Sequence, residues 1–255
     1  MTYLHGSSTR VLANATEVSA EVSGWNVGWQ RQMSEVTCVG QTAGQAGASF
    51  VPGLMSGTLA LRGPQQADPT TGLTAQIQNA IGVDNAFLVT CLPDGVAVGK
   101  PALFLVGDPS AYAVDAQVAD AVAMTMTATA DEGTEHGWVL APFQAYTADA
   151  LTGTAVDRGP FLSVIAGTPQ PYTVNGMAAA IHVTAFTGFT GVAVKIQHSA
   201  DNTTWTDLAS FTNVTAVGRE RIIVAKGTQV NRYLRASVDV TGTGSVTLLV
   251  AAAPR

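Results

Sequence analysis

Val192-Ala193-Val194-Lys195-Ile196-Gln197-His198-Ser199 puts Val192, Val194, Ile196 and His198 on one side of the chain, with Ala193, Lys195, Gln197 and Ser199 on the other. A period of two is a strand with one buried face, because a helix would need its apolar residues three or four apart. Leu234, Ala236, Val238 and Val240 alternate in the same way with Arg235, Ser237 and Asp239. Around these two runs, Ala179–Ala185, Trp205–Phe211, Arg219–Ala225 and Ser245–Ala253 recur at the spacing of a β-sandwich. Gly242-Thr-Gly-Ser lies between two such runs and is expected to be a hairpin turn. It lacks the third glycine and the following helix of a dinucleotide loop.

The first half is also predicted to be mostly strand. Val18–Trp29, Glu35–Val39, Leu54–Leu61, Ala86–Thr90, Ala102–Val106 and Gln117–Ala130 are rich in Val, Thr, Ala and aromatics, with Gly, Pro and Asp between them. Gly72–Gly82 is the exception. Leu73, Ile77 and Ile81 recur every four residues, which predicts one short amphipathic helix. Gly40–Pro52 carries too little bulk to pack alone and is expected to be a long loop. The fold class predicted is mainly β: a sandwich or barrel with one short helix in the first half, and a β-sandwich in the second.

Charge divides the chain in the same place. Residues 1–150 hold thirteen acids against four bases, a balance of −9, whereas 151–255 hold eight bases against five acids, a balance of +3. The segment 146–160 is rich in small and turn residues and serves as a joint. Two domains, 1–150 and 151–255, are expected.

Of the 255 residues 47% are hydrophobic and only 12% charged, about half the charged share of an ordinary soluble domain. Mean hydropathy is +0.24. Yet apolar runs such as Leu248–Ala253 fall far short of the roughly 18 residues a spanning helix needs, so no membrane helix is predicted. Met1-Thr-Tyr-Leu-His-Gly6 has neither a basic nor an apolar leader region, so no signal peptide is expected. Cys38 and Cys91 are then expected to be reduced thiols. Sparse charge fits a subunit whose faces are covered by neighbours rather than by water.

Chemistry is hard to find. His5, His136, His182 and His198 are scattered without the spacing of a zinc helix, and no nucleophile elbow or phosphate loop occurs. Asp131, Glu132 and Glu135 share a Gly-containing turn and are expected to be solvated. No cofactor and no metal site are predicted, and the protein is expected not to be an enzyme. Ser199–Asp207 offers one binding alternative, in which Trp205 stacks on a sugar while Asp201, Asn202 and Asp207 bond its hydroxyls. The plainer reading makes Asp201-Asn202 a hairpin turn and sends Trp205 into the core with Phe211. An acidic chain with three lysines lacks the footprint of a nucleic-acid binder.

Glu35-Val-Thr-Cys-Val-Gly40 followed by Val51-Pro-Gly-Leu-Met-Ser-Gly-Thr-Leu-Ala-Leu-Arg-Gly63 resembles the major tail tube proteins of long-tailed, non-contractile (siphovirus-type) phages. The order that follows is similar too: a short helix, a strand, Gly99-Lys-Pro-Ala-Leu-Phe-Leu105, the 117–130 strand and Glu135-His-Gly-Trp138. Residues 194–246 look like the discoidin or carbohydrate-binding β-sandwiches of phage tail proteins. The resemblance implies a virion tail component made in the host bacterial cytoplasm, whose copies form stacked hexameric rings around a lumen that conducts DNA during ejection. Its partners would be itself, a tape measure protein, a terminator, and DNA that passes without specific binding; no membrane is implied. Glu35, Asp115, Asp120 and Asp131 are the candidates for an acidic lumen. Gly40, Gly44, Gly47 and Phe50 are the candidates for contact with the next ring. The alternatives are a carbohydrate- or cell-surface-binding module, and a decoration or tail-terminator protein that does not polymerise.

Overall fold

The computed structural model describes residues 8–36, 49–65, 72–85, 87–116, 121–130, 133–151, 155–159, 161–162 and 169–255. Its strands run in chain order as β1 (Arg10–Ala13), β2 (Thr16–Glu17), β3 (Gly24–Val36), β4 (Ser49–Pro64), β5 (Phe87–Leu92), β6 (Pro101–Asp115), β7 (Ala123–Ala130) and β8 (Glu135–Tyr146). They continue as β9 (Ala150–Leu151), β10 (Val156–Asp157), β11 (Phe161–Leu162), β12 (Pro169–Gln170), β13 (Tyr172–Thr173) and β14 (Met177–Ser199). The last are β15 (Thr206–Ser210), β16 (Gly218–Val224), β17 (Val230–Asn231) and β18 (Tyr233–Pro254). Among the described residues one α-helix, α1 (Gly72–Ala80), and the 3-10 turn Ser19–Glu21 interrupt them. The fold is mainly β, as the alternation predicts.

Two sheets share one strand. A long sheet follows the order β15-β14-β18-β8-β6-β5-β1-β2. Within β6, residues up to Gly107 pair with β5, and from Asp108 onward the strand pairs with β7 instead. That second half completes a short antiparallel sheet, β3-β4-β7-β6. A Cβ at Gly107 would sit 2.2 Å from the Thr129 carbonyl oxygen, so only glycine lets the two strands cross this closely where β6 changes sheet.

Three apolar clusters follow from the alternation. The short sheet presents Leu59, Leu61, Met124 and Met126 to Phe87 and Leu105 of the long sheet, and Leu73 and Ile77 of α1 join them. The turn Ser19–Glu21 caps that helix: a carboxylate oxygen of buried Glu21 accepts the Leu73 N–H, meeting a donor the first helical turn cannot pair itself. The long sheet then curls. The even residues Ala178 and Ala180 of β14 come to lie over Leu12, Leu88, Leu92 and Phe104, and the odd residues Ala179 and Ile181 face a second interior with Val194, Ile196, Leu248 and Val250. The middle cluster therefore takes side chains from both sides of the 146–160 joint.

The structure corrects several expectations. Glu135, expected in a solvated turn, begins β8, where it is buried and paired with Arg221 and Arg255. The described part of Gln117–Ala130 is strand only from Ala123. Ser49–Pro52, expected in a loop, is strand: Phe50 and Val51 pair with Glu35 and Ser34. Part of Val18–Trp29 is the turn Ser19–Glu21. Gly242-Thr-Gly-Ser is no hairpin turn but lies inside β18, opposite Phe189 and Thr187 of an uninterrupted β14. Gly188 (φ 78°) and Gly242 (φ 97°) supply the left-handed backbone that the ladder's register shifts need there. Trp205 is half-buried rather than in the core with Phe211.

Candidate functional site

The short sheet carries the features that call for a partner. Its outer strands are β3 and the second half of β6, and among the described residues no strand pairs with their far sides. A free edge offers a row of backbone donors and acceptors to another chain unless charge, proline or cover blunts it. Along β3–β4–β7–β6 the strand direction alternates, so the two edges run in opposite directions.

The residues on its two faces differ in kind. On the core-facing side Trp25 and Val27 pack inward, but the same side of β3 continues past the core with Trp29 and Met33, 58% and 54% exposed, and with Met55 of β4 at 41%. At the opposite edge Tyr112 and Val114 pair with buried Met126 and Met124, which puts them on the same side, yet they are 39% and 48% exposed. Both edges thus leave apolar side chains uncovered on one face, with the exposed Arg31, opposite Met55, among them. On the other face, register brings together Asn26 and Gly28, Thr58 and Ala60, Thr125, Thr127 and Thr129, and Ala111 and Ala113. Arg62 and Asp115 are the described charges here, with Asp108 at the rim accepting the Asn85 N–H at 2.6 Å. An open concavity of about 340 Å³ lies among Asn26, Ala60, Arg62, Thr125 and Thr127.

Of the expected lumen residues, Asp115 ends β6, exposed and opposite Ala123. Glu35 lies in β3, where its register partner is Phe50, one of the expected inter-ring contacts. One residue of each set therefore stands in register on β3 and β4. Asp120, Asp131, Gly40, Gly44 and Gly47 lie outside the described residues, as does Cys38. Cys91 is a buried free thiol, and burial pushes its pKa well up. Along β7, Ala123, Thr125, Thr127 and Thr129 share the face turned away from the core, since Met124 and Met126 turn into it. Trp29, Met33 and Met55 escape a sequence reading because an alternating strand that outruns its core looks like one that does not.

The Trp205 group is arranged differently from a ready sugar site. Asp201 closes its own turn: its carboxylate accepts the backbone N–H groups of Thr204 and Thr203 at 2.8 and 2.9 Å and the Ser199 hydroxyl at 2.8 Å. Those bonds hold it well below the usual carboxylate range. Asn202 takes φ 61° at the tip of the turn. Asp207 accepts from Gln197 at 2.7 Å and Lys195 at 3.0 Å, which lowers its pKa, and Gln197 in turn accepts from Arg235. The Arg235 guanidinium lies 4.1 Å from the centre of the Trp205 ring. The protein's own groups therefore engage Asp201, Asp207 and one face of Trp205.

No family model matches the chain, and no curated protein matches it. Solved structures to which it is similar include a virion of a native gene transfer agent particle (6% identity, 52% of this chain and 98% of that one, TM-score 0.41). Another is the tube-terminating cap of the anti-feeding prophage (11% identity, 53% and 91%, TM-score 0.40). A third is the SPP1 Dit protein, described as a hub adsorption apparatus protein of phages infecting Gram-positive hosts (11% identity, 96% and 98%, TM-score 0.36). At these scores the likeness is loose.

Proposed function

We propose that the chain is a non-enzymatic structural protein of a phage tail whose copies join through the two edges of the short sheet. The observation that carries this reading is the pair of unpaired edges flanked by Trp29, Met33, Met55, Tyr112 and Val114 on one face. Because the edges run in opposite directions, β3 of one copy would pair antiparallel with β6 of the next, and the sheet would continue from copy to copy. The exposed apolar residues of both strands would then meet on the same side and cover one another; each is already about half-buried, so its further burial is worth about 1 kcal/mol. Closing the sheet removes its edges altogether.

The opposite face would line the lumen. Threonine, alanine and glycine present no cationic row, so a passing polyanion gains no counterion-release affinity. Hexameric stacking, DNA ejection, and contacts with tape measure and terminator proteins are what the tail tube resemblance adds to this reading. The division into a tube part, 1–150, and a β-sandwich, 151–255, belongs to the same proposal.

The test is sedimentation velocity of the wild-type chain beside Val114→Lys and Trp29→Ser. Wild type should show concentration-dependent assembly that either substitution abolishes while thermal stability stays within a few degrees. Assembly of both variants at the wild-type concentration would overturn the edge-to-edge reading.

A further inference from the structure

Where the long sheet curls, a buried imidazole bridges its two halves within a largely apolar layer. His182 stands on the even face of β14, in line with Ala178 and Ala180, and is fully buried. Its Nδ1 meets the carbonyl of Asn14 in the turn between β1 and β2, so that nitrogen must carry the hydrogen. Its Nε2 is then the acceptor for the Thr90 hydroxyl of β5 at 2.7 Å. One imidazole therefore links β14, from the second half of the chain, to β1–β2 and β5 of the first. In register beside it stand Arg219 on β16 and Leu249 on β18. Among the described residues no carboxylate is bonded to it. Glu135, the buried acid of this face, is engaged by Arg221 and Arg255.

We propose that His182 is an acid-sensitive latch, whose protonation releases β14 from β5 and the β1–β2 turn while the short sheet stays folded. A proton arriving from solvent at Nε2 would face the Thr90 oxygen, and the hydroxyl would have to turn from donor to acceptor. The new charge would sit in an apolar layer, beside a guanidinium and away from water. Burial already holds the His182 pKa down to about 4, with Arg219 pushing the same way against the Asn14 carbonyl. Opening the layer returns the ring to water and to its ordinary value of about 6.5. Coupled to that change, the opening equilibrium should rise by about fifty-fold between pH 7 and pH 4.5.

Hydrogen exchange on the full chain reads this directly. After correction for intrinsic exchange, protection of segments 177–183 and 87–92 should fall steeply between pH 7 and pH 4.5, with 24–33 and 57–63 unchanged. His182→Gln, which keeps a donor and an acceptor but cannot charge, should hold the same protection at both values. A uniform loss over all segments, or an equal loss in His182→Gln, overturns the proposal. If that variant does not fold, imidazole nitrogen shifts of the wild type decide instead. The His182 titration midpoint must coincide with the loss of protection at 177–183, and separate midpoints overturn it.

Discussion

Replacing Glu135 by Gln removes one charge and almost no volume, and the structure sets what that should cost. Glu135 begins β8, and its side chain is 9% exposed. One carboxylate oxygen accepts from Arg221 of β16 at 3.1 Å and from the Arg255 Nε at 3.0 Å, with a second Arg255 nitrogen also in contact. The Arg221 side chain is 15% exposed and that of Arg255 31%. Removing one member of a buried ion pair costs about 3–5 kcal/mol, because its partner keeps an uncompensated charge. Water reaching Arg255 offsets part of this, so the loss should be about 3 kcal/mol, the low end of that range. For a chain of this size that corresponds to a fall in Tm of roughly 6–12 °C. Urea unfolding followed by tryptophan fluorescence gives the first number and calorimetry the second. Adding Arg221→Met should recover at least half, since the more buried of the two stranded charges goes with it. A loss below about 1 kcal/mol, or one that 1 M salt erases, would refute the reasoning, for it would mean a screened surface pair.

Other expectations follow from single contacts. Glu21→Ala should cost about 1–2 kcal/mol through the lost cap on α1, read as a lower urea midpoint with faster exchange at 72–80. Gly63→Ala should leave little folded protein, because its Cβ would fall 1.8 Å from the Glu21 carbonyl oxygen, whereas Gly218→Ala meets nothing within 4 Å and should be neutral or stabilise by up to about 1 kcal/mol, measured in the same assay. Stability should fall in two stages on acidification. The depressed His182 value makes the unfolded chain bind more protons, so about 3 kcal/mol present above pH 6.5 is lost as pH falls toward 4. Asp157, lowered by its bond to Arg232, and Asp207, lowered by Gln197 and Lys195, contribute stability above the ordinary carboxylate range that is lost below it. Urea midpoints from pH 8 to pH 3 should show both limbs, and His182→Gln should lose most of the first, keeping the share of His198, whose burial also lowers its pKa.

Much of this fold is legible in alternation. Lys195, Gln197, Arg235 and Asp239 mark the outer face of β14 and β18, and the spacing of Leu73 and Ile77 locates α1. Ile81, which continues that spacing, is exposed because the helix ends at Ala80 and Gly82 turns the chain with φ 78°. What alternation leaves out is which strands are neighbours. Gly242 has the backbone of a turn residue whether it reverses a strand or accommodates a bulge, and only the unbroken partner β14 decides between them. His182 reads as one more position in an apolar strand, because its partners Asn14 and Thr90 lie far away in the chain. Trp29 and Met33 look like core for the same reason. The chain states their periodicity but not where the core beneath them stops.

The central claim is that β3 of one copy pairs with the second half of β6 of another. Electron microscopy of the purified full chain at high concentration, taken to a resolution that traces strands, tests it most directly. The expected image is a closed ring or a tube of stacked rings, with Gly24–Val36 of each subunit antiparallel to the 108–115 strand of its neighbour and the threonine face turned to the lumen. Particles that stay monomeric, or an assembly in which both edges remain exposed to solvent, would contradict it.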